Sequence, residues 1–94
     1  MSMVHVRLMG TFREAAGQSE IKLENCDTIN KVIISLVEFI GDNFEKVIYD
    51  PVLHSPLPNA LILLNGVEVN NLQGLKTQVK EGDNIVLLSV THGG

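Results

Sequence analysis

The sequence predicts an α+β domain, in which one helix covers one face of a mixed sheet of five strands. Five short segments read as strands, because their apolar residues alternate with polar ones or form a short apolar run, whereas one longer segment has apolar residues at helical spacing. The segments follow in the order β-β-α-β-β-β. A helix with one apolar face covers one face of one sheet. The 94 residues fit one domain with a modest core.

The beginning of the chain predicts two strands joined by a loop. Apolar residues occupy alternate positions in Met3–Met9 and again in Glu20–Glu24, as in strands with one buried face. The polar segment 11–19 between them is typical of a turn-rich connection. We expect Phe12 and the two alanines that follow it to fix this connection to the core.

The next segment predicts the helix. Asp27 and Thr28 are both able to cap a helix N-terminus, and Gly41 stands where the helix should end. Apolar residues between these limits form one stripe: Ile29, Val32, Ile33, Leu36, Val37 and Ile40. Segment 42–59 is the least regular part of the chain. Phe44, Val47 and Ile48 are compatible with a short helical turn, and the three prolines exclude regular structure after it.

The last third predicts three strands. Ala60–Leu64 is an apolar strand, and Asn65-Gly66 is a strong hairpin signal before the return strand Val67–Val69. The final strand, Ile85–Val90, should pair with the first strand and so lie in the middle of the sheet. Between these strands we expect core contacts from Leu72, Leu75 and Val79.

Two strands carry more apolar residues than the fold requires. A sheet covered on one face should alternate apolar and polar residues, but 60–64 and 85–88 do not. If Ile85 points inward, then Val86, Leu88 and Val90 point toward the open face. An exposed apolar patch usually marks a partner site. We therefore predict partner docking at these three residues, with loop cover and dimerisation as alternatives.

Composition excludes several classes of function. The net charge of −4 and the pI near 5.2 disfavour nucleic-acid binding. Cys26 is the single cysteine, so no internal disulfide forms, and we expect it to be a small buried residue. No signal peptide or membrane-length apolar run is evident, which favours the cytoplasm. Metal-type Cys/His spacing, a phosphate loop and a GxSxG elbow are absent from the sequence, so no catalytic constellation can be assembled.

The segment Thr91-His92-Gly93-Gly94 directly follows the last predicted strand. Glycine lacks a Cβ and therefore enters slots that are too narrow for other residues. An unanchored terminus is also usually mobile. We predict a domain over 1–90 and a flexible tail over 91–94, whose functional group is the Gly94 carboxylate.

Several of these features together resemble the ubiquitin-like β-grasp sulfur carriers and modifiers. The element order, the Asn65-Gly66 hairpin, the turn at 82–84 and the diglycine all contribute. Segment 12–17, Phe-Arg-Glu-Ala-Ala-Gly, is similar to the F-R-E-x-x-G loop of archaeal and molybdopterin-type members. His92-Gly93-Gly94 resembles the tail of the ubiquitin-related modifier, and the proline typical of the molybdopterin branch is missing. The family includes the molybdopterin synthase small subunit, the thiamine-pathway sulfur carrier, archaeal small modifiers and the ubiquitin-related modifier.

The resemblance implies a carrier that is the substrate of an E1-like adenylating enzyme rather than an enzyme itself. Gly94 is then the reactive residue, and Gly93 and His92 complete the tail. ATP is used by the partner, and no cofactor or metal of the chain's own is implied. Sulfur would pass from a sulfurtransferase through a Gly94 thiocarboxylate to an acceptor enzyme, with tRNA, a pterin precursor and a thiazole precursor all open as acceptors. Conjugation to target lysines is a second role, and a non-covalent β-grasp interaction module is the alternative.

Overall fold

The computed structural model describes residues 3–90, which form a five-stranded sheet with helices packed on one face. This arrangement confirms the predicted α+β fold and its mixed sheet. Two short 3₁₀ turns, Val69–Asn71 and Gly74–Lys76, lie between the fourth and fifth strands. The other elements, in chain order, are β1 (Met3–Met9), α1 (Thr11–Ala16), β2 (Glu20–Glu24), α2 (Ile29–Ile40), α3 (Asp42–Ile48), β3 (Ala60–Leu64), β4 (Val67–Glu68) and β5 (Asn84–Ser89).

The last strand lies in the middle of the sheet, as the sequence predicts. The strand order is β2-β1-β5-β3-β4, with β5 parallel to β1 and antiparallel to β3. Strand β5 starts and ends one residue earlier than predicted, at Asn84 and Ser89. Because β5 has a neighbour on each side, both edges of its backbone take part in ladder hydrogen bonds.

Helix α2 is the long covering helix that the apolar stripe predicts. Its buried residues are Ile29, Val32, Ile33 and Leu36. The Thr28 hydroxyl caps its first turn by accepting a 3.1 Å hydrogen bond from the Lys31 N–H. Gly41 ends it with a φ of 108°, a conformation that favours glycine.

The predicted loop between the first two strands is wrong, because Thr11–Ala16 forms helix α1. Phe12 of this helix is fully buried, and its ring meets the ring of Phe44 from α3 edge to face, with the centroids 5.8 Å apart. A helix of six residues has no local stability of its own, so its tertiary packing holds it. Helices α1 and α3 therefore join α2 in covering the same face of the sheet.

The hairpin between β3 and β4 forms at Asn65-Gly66. Both residues have positive φ angles, of 50° and 86°, which a tight two-residue hairpin turn requires. Strand β4 is shorter than predicted, because Val69 leaves the strand, begins a 3₁₀ turn and is fully buried.

Among the predicted core contacts before β5, Val79 is buried and Leu75 is half-buried against the core. The prediction for Leu72 is wrong, since its side chain is 46% exposed. Val69 takes the core position in this region. Leu72 closes the turn only through its backbone N–H, which donates to the Val69 carbonyl.

Cys26 is fully buried, as expected. Its Sγ lies 3.5 Å from the Ser35 hydroxyl and 3.7 Å from the Glu24 carbonyl oxygen, so the thiol is enclosed between β2 and α2. Within residues 3–90, no helix has the length and apolarity needed to cross a membrane.

Candidate functional site

The face of the sheet opposite the helices carries a group of apolar side chains on β5 and its neighbours. Val86 and Leu88 are half-buried there. Leu88 has Met9 of β1 on one side and Leu61 of β3 on the other. We call this group the apolar patch; its members are Met9, Leu61, Leu63, Val86, Leu88 and Val90.

Strand alternation puts these residues on the open face. Ile85 and Leu87 are fully buried beneath the helices, so Val86 and Leu88 must point the other way. Val90 follows the end of β5 and is 43% exposed. The use of Val86, Leu88 and Val90 in docking stays a prediction.

Three further members of the patch lie outside the predicted docking residues: Met9, Leu61 and Leu63. The sequence did indicate the two leucines, because Ala60–Leu64 is apolar throughout and therefore places apolar side chains on both faces of the sheet. Met9 carried no such signal, because it occupies a normal outward position at the end of an alternating strand. Only the pairing of β1 with β5 brings it beside Leu88.

Charged residues border the patch on the side of β1 and β2. Arg7 stands beside Val86 and forms an ion pair with Glu20 at 3.3 Å. Both side chains of this pair are mostly exposed, at 61% and 71%. An ion pair of this kind stabilises a fold by no more than about 1 kcal/mol, so both groups remain free to change partners.

The patch leads directly toward the predicted tail. The Val90 N–H donates a 3.0 Å hydrogen bond to the Asn59 carbonyl, which continues the pairing of β5 with β3 to the last described residue. The predicted tail residues Thr91, His92, Gly93 and Gly94 lie outside the described residues, so their roles and the domain boundary stay predictions.

The helix side of the domain carries a groove. The groove has a volume of about 670 Å³ and lies between α2 and α3, and Tyr49 lines it. Partial burial, with a further contribution from the Glu45 carboxylate, raises the pKa of the Tyr49 hydroxyl above its usual value. Nowhere between Met3 and Val90 do three His, Cys, Asp or Glu side chains group as metal ligands.

Comparisons with known proteins match this sequence along nearly its whole length. The sequence model of the ThiS family matches residues 6–94. An Archaeoglobus fulgidus protein that carries the provisional name sulfur carrier protein is 31% identical over 91 residues, which cover 97% of this chain and 98% of that protein. Small archaeal modifier protein 3 of Haloferax volcanii is 29% identical over 93 residues, with 97% and 98% covered.

A solved structure agrees with these relatives. The solution structure of small archaeal modifier protein 1 from Methanosarcina acetivorans has a TM-score of 0.85 and 30% identity, and it covers 100% of this chain and 98% of its own. The fold is thus the ubiquitin-like β-grasp, and the relatives are carriers and modifiers rather than catalytic enzymes. With its family model matched from residue 6 to residue 94, the chain belongs to the ThiS family.

Proposed function

We propose that this chain is a sulfur carrier, which a partner adenylating enzyme activates with ATP at the Gly94 carboxylate. The observation that carries the proposal is the apolar patch on the central strand, whose last member, Val90, precedes Gly94 by four residues in the sequence. Membership of the ThiS family and the relative named as a sulfur carrier support it. The chain supplies a substrate group and a docking surface, and its partners supply the catalysis.

In the activation step, a Gly94 carboxylate oxygen attacks the α-phosphorus of ATP. The bond between the α-phosphorus and its bridging oxygen breaks, pyrophosphate leaves, and an acyl-adenylate forms. This mixed anhydride is easily hydrolysed, so the enzyme must hold it where water is excluded. Two residues without side chains fit a narrow channel of that kind, which accounts for glycine at 93 and 94.

In the sulfur step, the terminal sulfur of a sulfurtransferase persulfide attacks the acyl carbon and displaces AMP. A thiol then attacks the S–S bond of the resulting acyl disulfide, becomes part of a new disulfide, and leaves a thiocarboxylate on Gly94. The thiocarboxylate is a soft nucleophile that donates sulfur to an acceptor. Since this sequence does not select the acceptor, tRNA, pterin and thiazole precursors all remain candidates.

The apolar patch supplies the docking surface for activation. It is rigid, because β5 is hydrogen-bonded on both sides, and it adjoins the described end of the chain. An interface with an apolar centre and a charged border matches the general anatomy of protein interfaces. Docking at Val86, Leu88 and Val90 would bring the tail to a fixed distance from the enzyme's ATP site.

The test is pyrophosphate release from ATP with the adenylating enzyme of the same organism. We expect release with the unaltered chain and none after deletion of Gly94 or extension by one bulky residue. In cells, the intact mass of the chain should show an oxygen-to-sulfur exchange. Pyrophosphate release that persists in the extended chain would refute the proposal, because a bulky end should not enter the channel.

A second role as a covalent protein modifier is favoured by the relatives named small archaeal modifier proteins. The same adenylate would then react with a lysine amine, forming an isopeptide bond and releasing AMP. This role predicts lysine-linked conjugates that disappear when Gly94 is deleted. If deletion of Gly93 and Gly94 leaves cellular function intact, the chain is instead a non-covalent interaction module.

A further inference from the structure

Both arginines of the chain lie in one surface depression. Arg7 and Arg13 are the only arginines among the 94 residues, while the five lysines are spread from Lys22 to Lys80. Strand β1 contributes Arg7 and helix α1 contributes Arg13 to a depression of about 400 Å³. We call this depression the arginine corner; its other lining residues are Leu8, Met9, Gly10, Ser19 and Glu20.

The charges of the arginine corner are not balanced within the domain. Arg7 has one acidic partner, Glu20, and that pair is largely solvent-exposed. The exposed Arg13 side chain makes no ion pair or hydrogen bond with any residue from Met3 to Val90. Two guanidinium groups and one carboxylate leave a local positive charge on a chain whose net charge is −4. A positive site on a negative chain is suited to an acidic group on another molecule.

The arginine corner is continuous with the apolar patch. Met9 belongs to both, and its register partner is Leu88 at the centre of the patch. Gly10 lies beside the end of β5, since a Cβ at this position would be in van der Waals contact with the Ser89 Cβ, at 3.5 Å. A partner that covers the patch would therefore also cover the arginine corner, which adjoins the C-terminal end of β5.

We propose that the arginine corner receives carboxylates of the adenylating enzyme that docks on the apolar patch, an inference that rests on the proposed function. The planar guanidinium group binds a carboxylate through two parallel hydrogen bonds, which fixes orientation as well as adding attraction. Nucleic-acid phosphate is a poor occupant, because the pI near 5.2 makes the chain repel a polyanion. The corner orients the docked domain, and the patch holds it.

The experiment measures pyrophosphate release as a function of carrier concentration, at low and at high salt. Arg13→Glu should raise KM about three- to tenfold at low salt with kcat unchanged, and the difference should shrink at high salt. Lys31→Glu is the matched control, since it changes the net charge equally but lies on α2, across the sheet. Arg13→Lys keeps the positive charge but lacks the planar guanidinium group that makes two parallel hydrogen bonds. This variant should therefore have an intermediate KM. Thermal unfolding of each variant shows whether α1 remains folded.

A direct binding measurement separates this inference from the proposed function. The chain without Gly93 and Gly94 keeps its docking surface but cannot be adenylated. We expect it to bind the enzyme, and we expect Arg13→Glu in this shortened chain to slow association. If the unaltered chain releases pyrophosphate but Arg13→Glu behaves like Lys31→Glu, the inference fails and the proposed function stands. If the unaltered chain releases none with its enzyme, both are overturned.

Discussion

Leu88→Ala is the substitution that tests the apolar patch most directly. Leu88 lies at the centre of the open face, between Met9 and Leu61, and is half-buried before any partner binds. Truncation to alanine removes three carbon atoms, which are worth about 2.4 kcal/mol if they pass fully from water into an interface. Because most of the side chain is already covered, docking gains at most about a third of this value, ~0.8 kcal/mol.

A loss of ~0.8 kcal/mol corresponds to about a fourfold weaker affinity. The assay is pyrophosphate release with the adenylating enzyme, with the carrier concentration varied. We expect KM to rise about fourfold and kcat to stay unchanged, because Leu88 acts in binding and the reacting group is elsewhere. A binding measurement on the chain without Gly93 and Gly94 should give the same factor.

The matched control is Ile34→Ala, which also removes three carbon atoms. Ile34 is on α2, across the sheet from the patch, and is 37% exposed. Urea unfolding should show that either variant loses only part of a total stability of about 5 to 14 kcal/mol. A KM for Leu88→Ala within twofold of the unaltered chain, or an equal effect of Ile34→Ala, would refute docking at the patch.

Three further predictions concern the fold. Phe12→Ala should lower the free energy of unfolding by about 3 to 5 kcal/mol in urea titrations, because it empties a buried aromatic site against Phe44. Thr28→Ala should cost about 1 kcal/mol, which lowers Tm by roughly 4 to 8 °C, because it removes the cap of α2. Tyr49 should titrate above pH 10 by ultraviolet absorbance; its pKa is higher folded than unfolded, so its contribution to stability is complete at neutral pH and is lost as pH rises through the folded-state pKa.

Each of these predictions has a control within the chain. The Phe39 side chain is 64% exposed, so Phe39→Ala should change the free energy of unfolding by less than about 0.5 kcal/mol. If Phe12→Ala lowers the free energy of unfolding by no more than Phe39→Ala does, the role of Phe12 in the core is contradicted. Asp27→Ala tests the neighbouring cap candidate and should leave Tm nearly unchanged. Glu45→Gln should lower the Tyr49 titration midpoint, and a midpoint at or below 10 in the unaltered chain would contradict the burial effect.

The sequence by itself determined the regular elements that have a clear period. Strands β1, β2 and β3 have the bounds that alternation or a continuous apolar run predicts. Helix α2 follows its apolar stripe, and the hairpin follows Asn65-Gly66. These signals are local, since side-chain direction depends only on the backbone period and a turn depends on two residues with positive φ. The outward direction of Val86 and Leu88 is a consequence of the same period.

Tertiary structure decided what local patterns do not encode. Helix α1 is too short to show a helical period, and it forms because Phe12 reaches the core and meets Phe44. Two cap candidates, Asp27 and Thr28, were equal in the sequence, and only the Thr28 hydroxyl reaches the open N–H of Lys31.

The proposed docking surface also depends on contacts between distant segments. The parallel pairing of β1 with β5 joins Met9 to Leu88, and the position of α1 brings Arg13 to the depression that Arg7 lines. Pairings across most of the chain are set by how the core packs as a whole, which no single stretch of sequence specifies. The residues of the proposed docking surface can therefore be named from the sequence only in part, and the surface itself forms only when the domain folds.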